Sequence, residues 1–384
     1  MKKGFQRHIS SVLPVMRSIL ESSVNVLTDR QLDLSDEAMV PSWREAYYSL
    51  VMLEKMLQQF HDLCLERDLE DIWETICELL LHPHMWLRNV SNRLVALYFA
   101  TVTEACRENH EKSAGKYCLM RPSRLFLIAM SLCCQLKVQL TDDAANSLIT
   151  QNLVFSICGV HSLVGQNNMD PQDFWSTVEH RDQARYLKVF HLLDSRKGRG
   201  EFASLASGFN GQNDQQNSEH YHHVLIIYLL KRMGKIALQM EAIQVKIVFD
   251  SFKSISPKIL GQYEISSPND EDGCQNYAYH MLLPLYKVSE GFAGKVIPDD
   301  VKQLAQEASE TIRNTIGMQN FVQVYSQIRK NLKAKRDKRK HEEKLMAVVN
   351  PMRNAKRKLR IAAKHRANKK RKITTFRMGK WRLP

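Results

Sequence analysis

The sequence predicts an all-α fold, in which an α-solenoid of degenerate helix pairs is followed by a long basic helical tail. Three observations lead to this prediction. Apolar residues recur at steps of three and four along nearly every segment, which is the period of an α-helix. Short turns separate the segments, and we find no convincing alternating strand pattern. Finally, Lys and Arg are concentrated near the C-terminal end of the sequence.

The clearest helix pair lies in "DLEDIWETICELLLHPHMWLRNVSNRLVALYFATV", which runs from Asp68 to Val102. One apolar stripe ends near Leu81, "HPHMW" turns the chain, and a second stripe begins at Leu87. This unit resembles a HEAT repeat, whose second helix commonly opens with an apolar-Arg pair and small residues. Leu87-Arg88 and Ser91 take those places. The next pair follows after about 55 residues, against roughly 40–47 in regular HEAT and armadillo arrays, so the predicted repeats are degenerate.

The remaining segments follow the same pattern. From Pro41, the stripe is Trp43, Tyr47, Leu50, Leu53, Leu57, Phe60 and Cys64. Further helices are expected at about 122–137, 142–164, 171–195, 219–240, 242–254, 275–289 and 298–316. Asp170 before Pro171 is typical of a helix start. The segment 195–220 is rich in Gly, Asn, Gln and Ser, which predicts a mobile loop. A shorter acidic linker covers 261–274.

The charge is distributed unevenly between two predicted domains. The chain has 384 residues and a net charge of +14, yet residues 329–384 hold 23 Lys and Arg against 3 Asp and Glu. The tail at 329–384 therefore carries +20, and the helical-repeat body at 1–328 carries −6. A concentrated basic arm on a mildly acidic body indicates a polyanionic partner, most often nucleic acid. The alternative is a solvated tail that holds only a nuclear import signal.

The sequence of the tail predicts a segment that becomes helical when the tail binds a partner. A buried stripe should continue through Phe321, Val324, Ile328 and Leu332, after which no apolar face remains up to Lys344. Asn350 then caps a new helix that has Pro351 in its first turn. That helix keeps a thin apolar stripe of Met352, Ala355, Leu359 and Ala362. The apolar residues can dock on a protein while the cations face phosphates.

The candidate nucleic-acid-binding residues are the cations of this last helix. They are Arg353, Lys356, Arg357, Lys358, Arg360, Lys364, Arg366, Lys369, Lys370, Arg371 and Lys372. The last four, "KKRK", are also the candidate localisation signal, with "KRKLR" at 356–360 upstream. The tail has only Phe376 and Trp381 as aromatic residues, so its RNA affinity should be electrostatic rather than based on stacking. A basic zipper is excluded because no leucine heptads follow, whereas a calmodulin target stays an alternative.

The sequence gives little support for an enzyme, a disulfide-bonded protein or a membrane protein. The eight cysteines form no C-x-x-C pair and indicate a reducing compartment. No secretory signal is recognised, and no uninterrupted apolar run approaches the ~18 residues of a membrane helix. Phosphate-loop, kinase, G-x-S-x-G and H-E-x-x-H motifs are missing. We therefore expect no catalytic residues, no cofactor, no small-molecule substrate and no membrane partner.

Two histidine groups raise the question of a metal site. His82 and His84 flank Pro83, and we interpret them as a turn because a zinc site needs three or four ligands. His220 and His223 lie three residues apart and could share a metal, but an apolar helical run follows at once. A helix start with hydrogen-bonded histidines is the preferred interpretation, so no metal site is predicted. A metal-dependent enzyme that uses His220 and His223 stays the alternative from a different class.

Two stretches together resemble a known family. "LLHPHMWLRNVSNRLVALYF" and "AVVNPMRNAKRKLRIAAKHRANKKRKI" look like the C-terminal end of the U-three small nucleolar RNA-associated protein 20 family, also called down-regulated in metastasis. Its members are very long HEAT-repeat scaffolds of the nucleolar small-subunit processome, and this chain is much shorter. The resemblance implies a non-enzymatic role in small-subunit (18S) rRNA processing and ribosome biogenesis. It also implies contact with pre-ribosomal RNA, a small nucleolar ribonucleoprotein and other processome proteins, in the nucleus and nucleolus. The alternative is a HEAT-type nuclear cargo or signalling scaffold whose tail is only a localisation signal.

Overall fold

The computed structural model describes residues 7–25, 43–108, 117–138, 143–166, 169–178, 180–193, 221–239, 241–261, 271–291 and 297–380. These residues form α-helices and short 3-10 turns, with no strand among them, so the predicted all-α class is confirmed. The predicted mobile loop at 195–220 lies outside the described residues, as does most of the acidic linker. The chain divides into two compact units, Met1–Phe321 and Val322–Pro384.

The helices are numbered here in chain order. They are α1 Ile9–Asn25, α2 Trp43–Gln59, α3 Glu70–Leu79, α4 Met85–Glu108, α5 Pro122–Gln135, α6 Asp143–Gln166, α7 Pro171–Ser176, α8 His180–Leu193, α9 Tyr221–Gln239, α10 Ala242–Ile259, α11 Glu271–Ser289, α12 Asp299–Val349 and α13 Pro351–Lys380. Short 3-10 turns precede α3 at His61–Leu65 and Arg67–Leu69, and another precedes α5 at Cys118–Met120.

The first unit is built from two layers of helices. In one layer α2, α4, α6 and α10 pack in succession, and Lys253 of α10 pairs with Glu307 of α12 at 3.0 Å. In the other layer α1 packs on α3, and α5 and α11 both pack on α9. Each helix of one layer also packs on its sequence neighbour in the other, as α5 does on α6. This arrangement is the solenoid-like stacking that the repeated apolar stripes predict.

A buried polar junction joins consecutive helix pairs. The Nδ2 of Asn92 in α4 donates to Oε1 of Gln135 in α5 at 2.9 Å, and Nε2 of Gln135 donates to the Leu80 carbonyl at 2.8 Å. Asn152 of α6 donates in turn to the Asn92 carbonyl at 2.9 Å. These amides are almost completely inaccessible to solvent. Because buried polar groups must be paired, they fix the register of one helix pair on the next.

A buried ion network joins α3, α5 and α8. The Arg124 guanidinium lies 3.0 Å from Asp182 and 3.3 Å from Glu74, and Arg185 lies 3.1 Å from Asp182. Burial by itself would lower the pKa of the Arg124 guanidinium. The carboxylates of Asp182 and Glu74 have the larger effect, so the pKa is raised above its usual value. The network therefore holds its charges in a largely dry site, where removal of one partner is strongly destabilising.

Helix α6 is long and apolar enough to cross a membrane, judged by length and composition alone. The sequence analysis predicted this helix at 142–164 but did not single it out as a membrane candidate, because polar residues such as Asn146 and Asn152 interrupt its apolar runs. Half of the most apolar window is buried inside the fold, and α4, α5, α9 and α10 all pack against the helix. A helix in the core of a packed fold can have the same length and composition, and α6 packs against its neighbours as a core helix does.

Several helix bounds differ from the sequence prediction. The helix expected at 171–195 is two helices, because α7 ends at Ser176 and α8 begins at His180. The Thr177 hydroxyl at this break donates to the Phe174 carbonyl at 2.6 Å and lies 3.2 Å from Oγ of Ser123 in α5, which ties the end of α7 to a neighbouring helix. Helix α10 runs five residues past the expected end, because Ile255 and Ile259 continue the buried stripe through Pro257. Helix α1 was not predicted.

Helix α12 is interrupted where the predicted helix at 298–316 ends. Gly317 has a φ of +79°, a conformation that favours glycine, and apart from its own stretch of helix no atom lies within 4 Å of the place where its Cβ would stand. The residues beyond Gly317 resume the helix up to Val349. Asn350 then separates α12 from α13, and its Oδ1 accepts a hydrogen bond from the Arg353 backbone N–H at 3.1 Å. Both the predicted cap at Asn350 and the new helix from Pro351 are confirmed.

Candidate nucleic-acid interface

The candidate interface lies in the second unit, on α13. Nine of the eleven candidate cations have described side chains, and all nine are exposed: Arg353, Lys356, Arg357, Lys358, Arg360, Lys364, Arg366, Lys369 and Lys370. Arg371 and Lys372 belong to the helix, but their side chains lie outside the described residues. Over its 30 residues α13 holds thirteen Lys and Arg and no Asp or Glu. Such a helix carries a continuous positive potential along its length.

Four of the cations of α13 share one side of the helix, which we call the cationic face. Arg353, Arg357, Arg360 and Lys364 are separated by steps of four, three and four residues. Side chains at this spacing lie one above the other on one side of a helix. At about 1.5 Å of rise per residue, the face extends over about 16 Å.

The apolar residues of α13 lie on the opposite side of the helix. Met352, Ala355, Leu359 and Ala362 share the same three- and four-residue spacing and are all exposed. Met352 and Leu359 each leave about 70% of their surface exposed. Exposed large apolar residues at helical spacing are typical of a surface that another molecule covers. The helix thus presents one face suited to phosphates and another suited to a protein.

A cleft opens where α12 meets α13, and cations dominate its lining. The lining residues are Met346, Arg353, Asn354, Lys356, Arg357, Arg360 and Ile361. Arg357 also approaches Glu343 of α12 at 3.6 Å. This pair is exposed, so it contributes little stability and leaves the guanidinium available to a stronger anion. The bend at Asn350 therefore gathers four cations around one recess, a geometry that suits a polyanion backbone.

The stripe expected from Phe321 to Leu332 is buried only in its centre. Val324 and Ile328 are buried, whereas Phe321 and Leu332 are half-buried. From Lys333 to Leu345, every residue of α12 is exposed. The prediction that no apolar face remains in this part of the helix agrees with its exposure.

Three of the four histidines considered as metal ligands lie among the described residues, and each of these three makes a hydrogen bond within the fold. Nδ1 of His82 accepts from the His84 backbone N–H at 3.0 Å, within the "HPHMW" turn. Burial lowers the pKa of His82 to about 3, so its ring is neutral at physiological pH. His223 hydrogen-bonds the Tyr277 hydroxyl at 2.7 Å, and His220 lies outside the described residues. Within the described ranges, no group of three or more His, Cys, Asp or Glu residues is placed to hold a metal ion.

The sequence analysis missed one surface feature, an aromatic cluster in the first unit. Trp43 and Tyr47 were assigned to a buried stripe and Trp86 to a turn, yet Trp43 and Tyr47 are half-buried and Trp86 is exposed. The Trp43 ring stacks on His84, with the ring centroids 3.8 Å apart. Trp86 meets Trp43 edge-on at 5.3 Å.

Fold and interface together define a class, a helical-repeat protein with an exposed basic arm. Sequence comparison finds one family that the C-terminal part of the chain resembles. Residues 265–375 match the C-terminal region of the small subunit processome component 20 homolog family. All eleven candidate cations lie inside the matched range. The chain thus resembles this family over its C-terminal part, and the resemblance predicted from the sequence is confirmed.

The similarity extends beyond that range. The chain is 20% identical over 304 residues to the U3 small nucleolar RNA-associated protein 20 of Saccharomyces cerevisiae. This alignment covers 78% of the chain and 10% of the yeast protein, so the chain spans about a tenth of the length of that relative. No solved structure matches the chain.

Proposed function

We propose that the chain is a non-enzymatic nucleolar scaffold that binds pre-ribosomal RNA and processome proteins during small-subunit ribosome biogenesis. The observation that carries the proposal is the α13 helix, which holds thirteen cations and no acid and leaves the described cations exposed. A protein that neutralises phosphates with Lys and Arg gains affinity through the release of counterions. The similarity to small subunit processome component 20 supports the choice of pre-ribosomal RNA as the polyanion.

The cationic face is the proposed RNA contact. It is narrow, regular and free of acidic neighbours on its own helix, so it can follow one phosphate backbone. Lys356 and Asn354 widen the contact at the bend, where they line the cleft with three of the arginines. Contacts of this kind position an RNA without reading its sequence. A small nucleolar ribonucleoprotein would meet the same surface through its RNA.

The apolar face of α13 is the proposed protein contact. An amphipathic helix commonly places its apolar residues in a groove of a partner protein. Met352 and Leu359 are the anchors for such a groove, because they are the largest exposed apolar residues of that face. The helical-repeat body is then the scaffold that carries this arm and offers stacked helices to further processome proteins.

The proposal implies nuclear and nucleolar localisation through the "KKRK" cluster at Lys369–Lys372. Clusters of this composition are import signals or nucleic-acid patches. Neither a catalytic residue nor a cofactor has a place in the proposed mechanism. The buried polar groups of the body, such as Arg124 with Glu74 and Asp182, join helices to one another.

Two charge-matched variants of the full chain test the RNA contact. The first variant replaces the four residues of the cationic face by Gln: Arg353, Arg357, Arg360 and Lys364. The second variant replaces four exposed lysines of α12 by Gln: Lys330, Lys333, Lys338 and Lys340. If the cationic face contacts phosphates, the first variant should reduce the slope of log affinity against log salt by about three, since each lost contact removes about 0.7–0.9. The second variant should change the slope less. An equal effect of both variants would mean that overall charge, and not this face, determines binding.

A further inference from the structure

The aromatic cluster at the starts of α2 and α4 is arranged as a rigid surface. We call it the aromatic platform, and it comprises Trp43, Arg44, Tyr47, Tyr48, His84 and Trp86. Its rings lie within short distances of one another: Tyr47 is 5.5 Å from Trp86 and 5.4 Å from Tyr48, measured between centroids. Trp86 leaves 48% of its surface exposed and Tyr48 leaves 69%. The exposed rings of Trp86 and Tyr48 thus lie next to rings that are held in place by their neighbours, such as Trp43 stacked on His84.

The turn beneath the platform is held by a buried charge. Arg88 of α4 is only 4% exposed, and its Nη1 donates to the His82 carbonyl at 2.7 Å and to the Pro83 carbonyl. The Trp86 backbone N–H donates to Nδ1 of His84 at 3.3 Å. These bonds immobilise the turn that carries His84 and Trp86. A ligand that stacks on Trp86 therefore loses little affinity to the ordering of the site.

The chemistry of the platform suits a nucleobase. Every base has a π-face, so exposed indole and phenol rings bind single-stranded RNA with little dependence on sequence. The Arg44 guanidinium lies 5.4 Å from the centroid of the Trp43 ring and is exposed, so it can pair with a phosphate next to a stacked base. The basic tail has only Phe376 and Trp381 as aromatic residues. Stacking and charge would thus be supplied by different parts of the chain.

We propose that the aromatic platform is a second RNA site, on which unpaired bases stack against Trp86 and Tyr48. This inference rests on the proposed function, because it takes RNA as the partner. It adds a contact that depends on single-strandedness, which the cationic face does not provide. Trp, Tyr and Arg are also common in protein interfaces, and a platform that serves only such an interface would leave RNA affinity unchanged when Trp86 is replaced.

The experiment measures the affinity of the full chain for two probes, an oligouridine and an RNA duplex with the same number of phosphates. The variants are Trp86→Ala, Trp86→Leu and Trp86→Phe. Leu187→Ala is the control, because Leu187 is a comparably exposed apolar residue on α8. Trp86→Leu keeps an apolar side chain but removes the ring, whereas Trp86→Phe keeps a ring.

We expect Trp86→Ala and Trp86→Leu to weaken oligouridine binding roughly 5- to 150-fold, the range for loss of one stacked base. Trp86→Phe should stay within a few-fold of the unmodified chain, and duplex binding and the salt slope should not change, because stacking releases no counterions. Unchanged oligouridine affinity in Trp86→Leu would overturn the inference. An equal loss on the duplex would overturn it as well. If the unmodified chain binds neither probe even at low salt, the proposed function itself fails, and the platform with it.

Discussion

The Asn92 side chain donates a hydrogen bond to Oε1 of Gln135 at 2.9 Å across the boundary between two helix pairs. Neither side chain is accessible to solvent beyond about 1%. Gln135 also donates to the Leu80 carbonyl, so one amide joins three helical segments. A solenoid derives its stability from the interfaces between neighbouring repeats. This junction therefore couples the folding of consecutive pairs.

Replacement of Gln135 by Leu should destabilise the body. The change leaves the Asn92 amide and the Leu80 carbonyl buried without a partner, at a cost of about 1–3 kcal/mol for each unpaired group. Thermal unfolding followed by circular dichroism should show a lower Tm. Gln151→Leu is the matched control, because Gln151 is exposed on α6 and the substitution is the same. A Tm equal to that of the control would show that the junction does not hold the pairs together.

The stability of the body should decrease in acid because of His161. This residue lies in α6 close to His222 and Tyr277, with ring centroids 5.6 and 5.9 Å away, and burial lowers its pKa to about 4. In the unfolded chain a histidine binds a proton below about pH 6.5. Between about pH 6.5 and pH 4, the unfolded state therefore binds more protons than the folded state, and stability falls as the pH falls.

Replacement of His161 by Gln should reduce this acid sensitivity. The measurement is the difference in Tm between pH 7 and pH 4.5 for the unmodified chain and the variant. His191→Gln serves as the control, because His191 is exposed on α8. An acid-induced decrease in Tm that is the same in both variants would mean that other groups cause it, with His82 as the next candidate, since burial lowers its pKa to about 3.

Replacement of Lys369, Lys370, Arg371 and Lys372 by Ala should reduce nuclear accumulation of a fluorescent fusion. The physical reason is the loss of four adjacent cations that an acidic import receptor would bind. A second fusion should also carry changes at Lys356, Arg357 and Lys358, which form the upstream cluster. If both fusions accumulate in the nucleus like the unmodified chain, the import hypothesis is wrong. Loss of nucleolar enrichment alone would indicate retention through RNA.

Much of the fold could be predicted from the sequence because its signals are local. The stripe of α3, the cap at Asn350 and the start of α13 all depend on residues a few positions apart. The break between α7 and α8 could not be predicted, because Thr177 bonds to Ser123, which lies far away in the sequence. The length of α10 was underestimated for a related reason, since burial of Ile259 against other helices overrides the signal of Pro257.

The candidate interface was predictable in composition and partly in geometry. The spacing of Arg353, Arg357 and Arg360 already places them on one side of a helix. The cleft at the bend was not predictable, because it depends on the position of Met346 in α12 relative to α13. The aromatic platform was missed because Trp43 and Trp86 are brought together by packing of α2 on α4. Each residue alone fits a helix stripe or a turn.

The salt dependence of RNA binding tests the central claim most directly. The affinity of the full chain is compared with that of a chain ending at Leu332, which has a net charge of −4, and with that of a chain whose tail cations are replaced by Gln. If about 6–10 phosphates are contacted, affinity of the full chain should fall by roughly 10³–10⁵ between about 50 and 200 mM salt. Both altered chains should lose nearly all salt-dependent binding yet keep the helix content of the body. A chain ending at Leu332 that binds RNA with the same affinity and salt slope would contradict the account, because the tail would then have no part in binding.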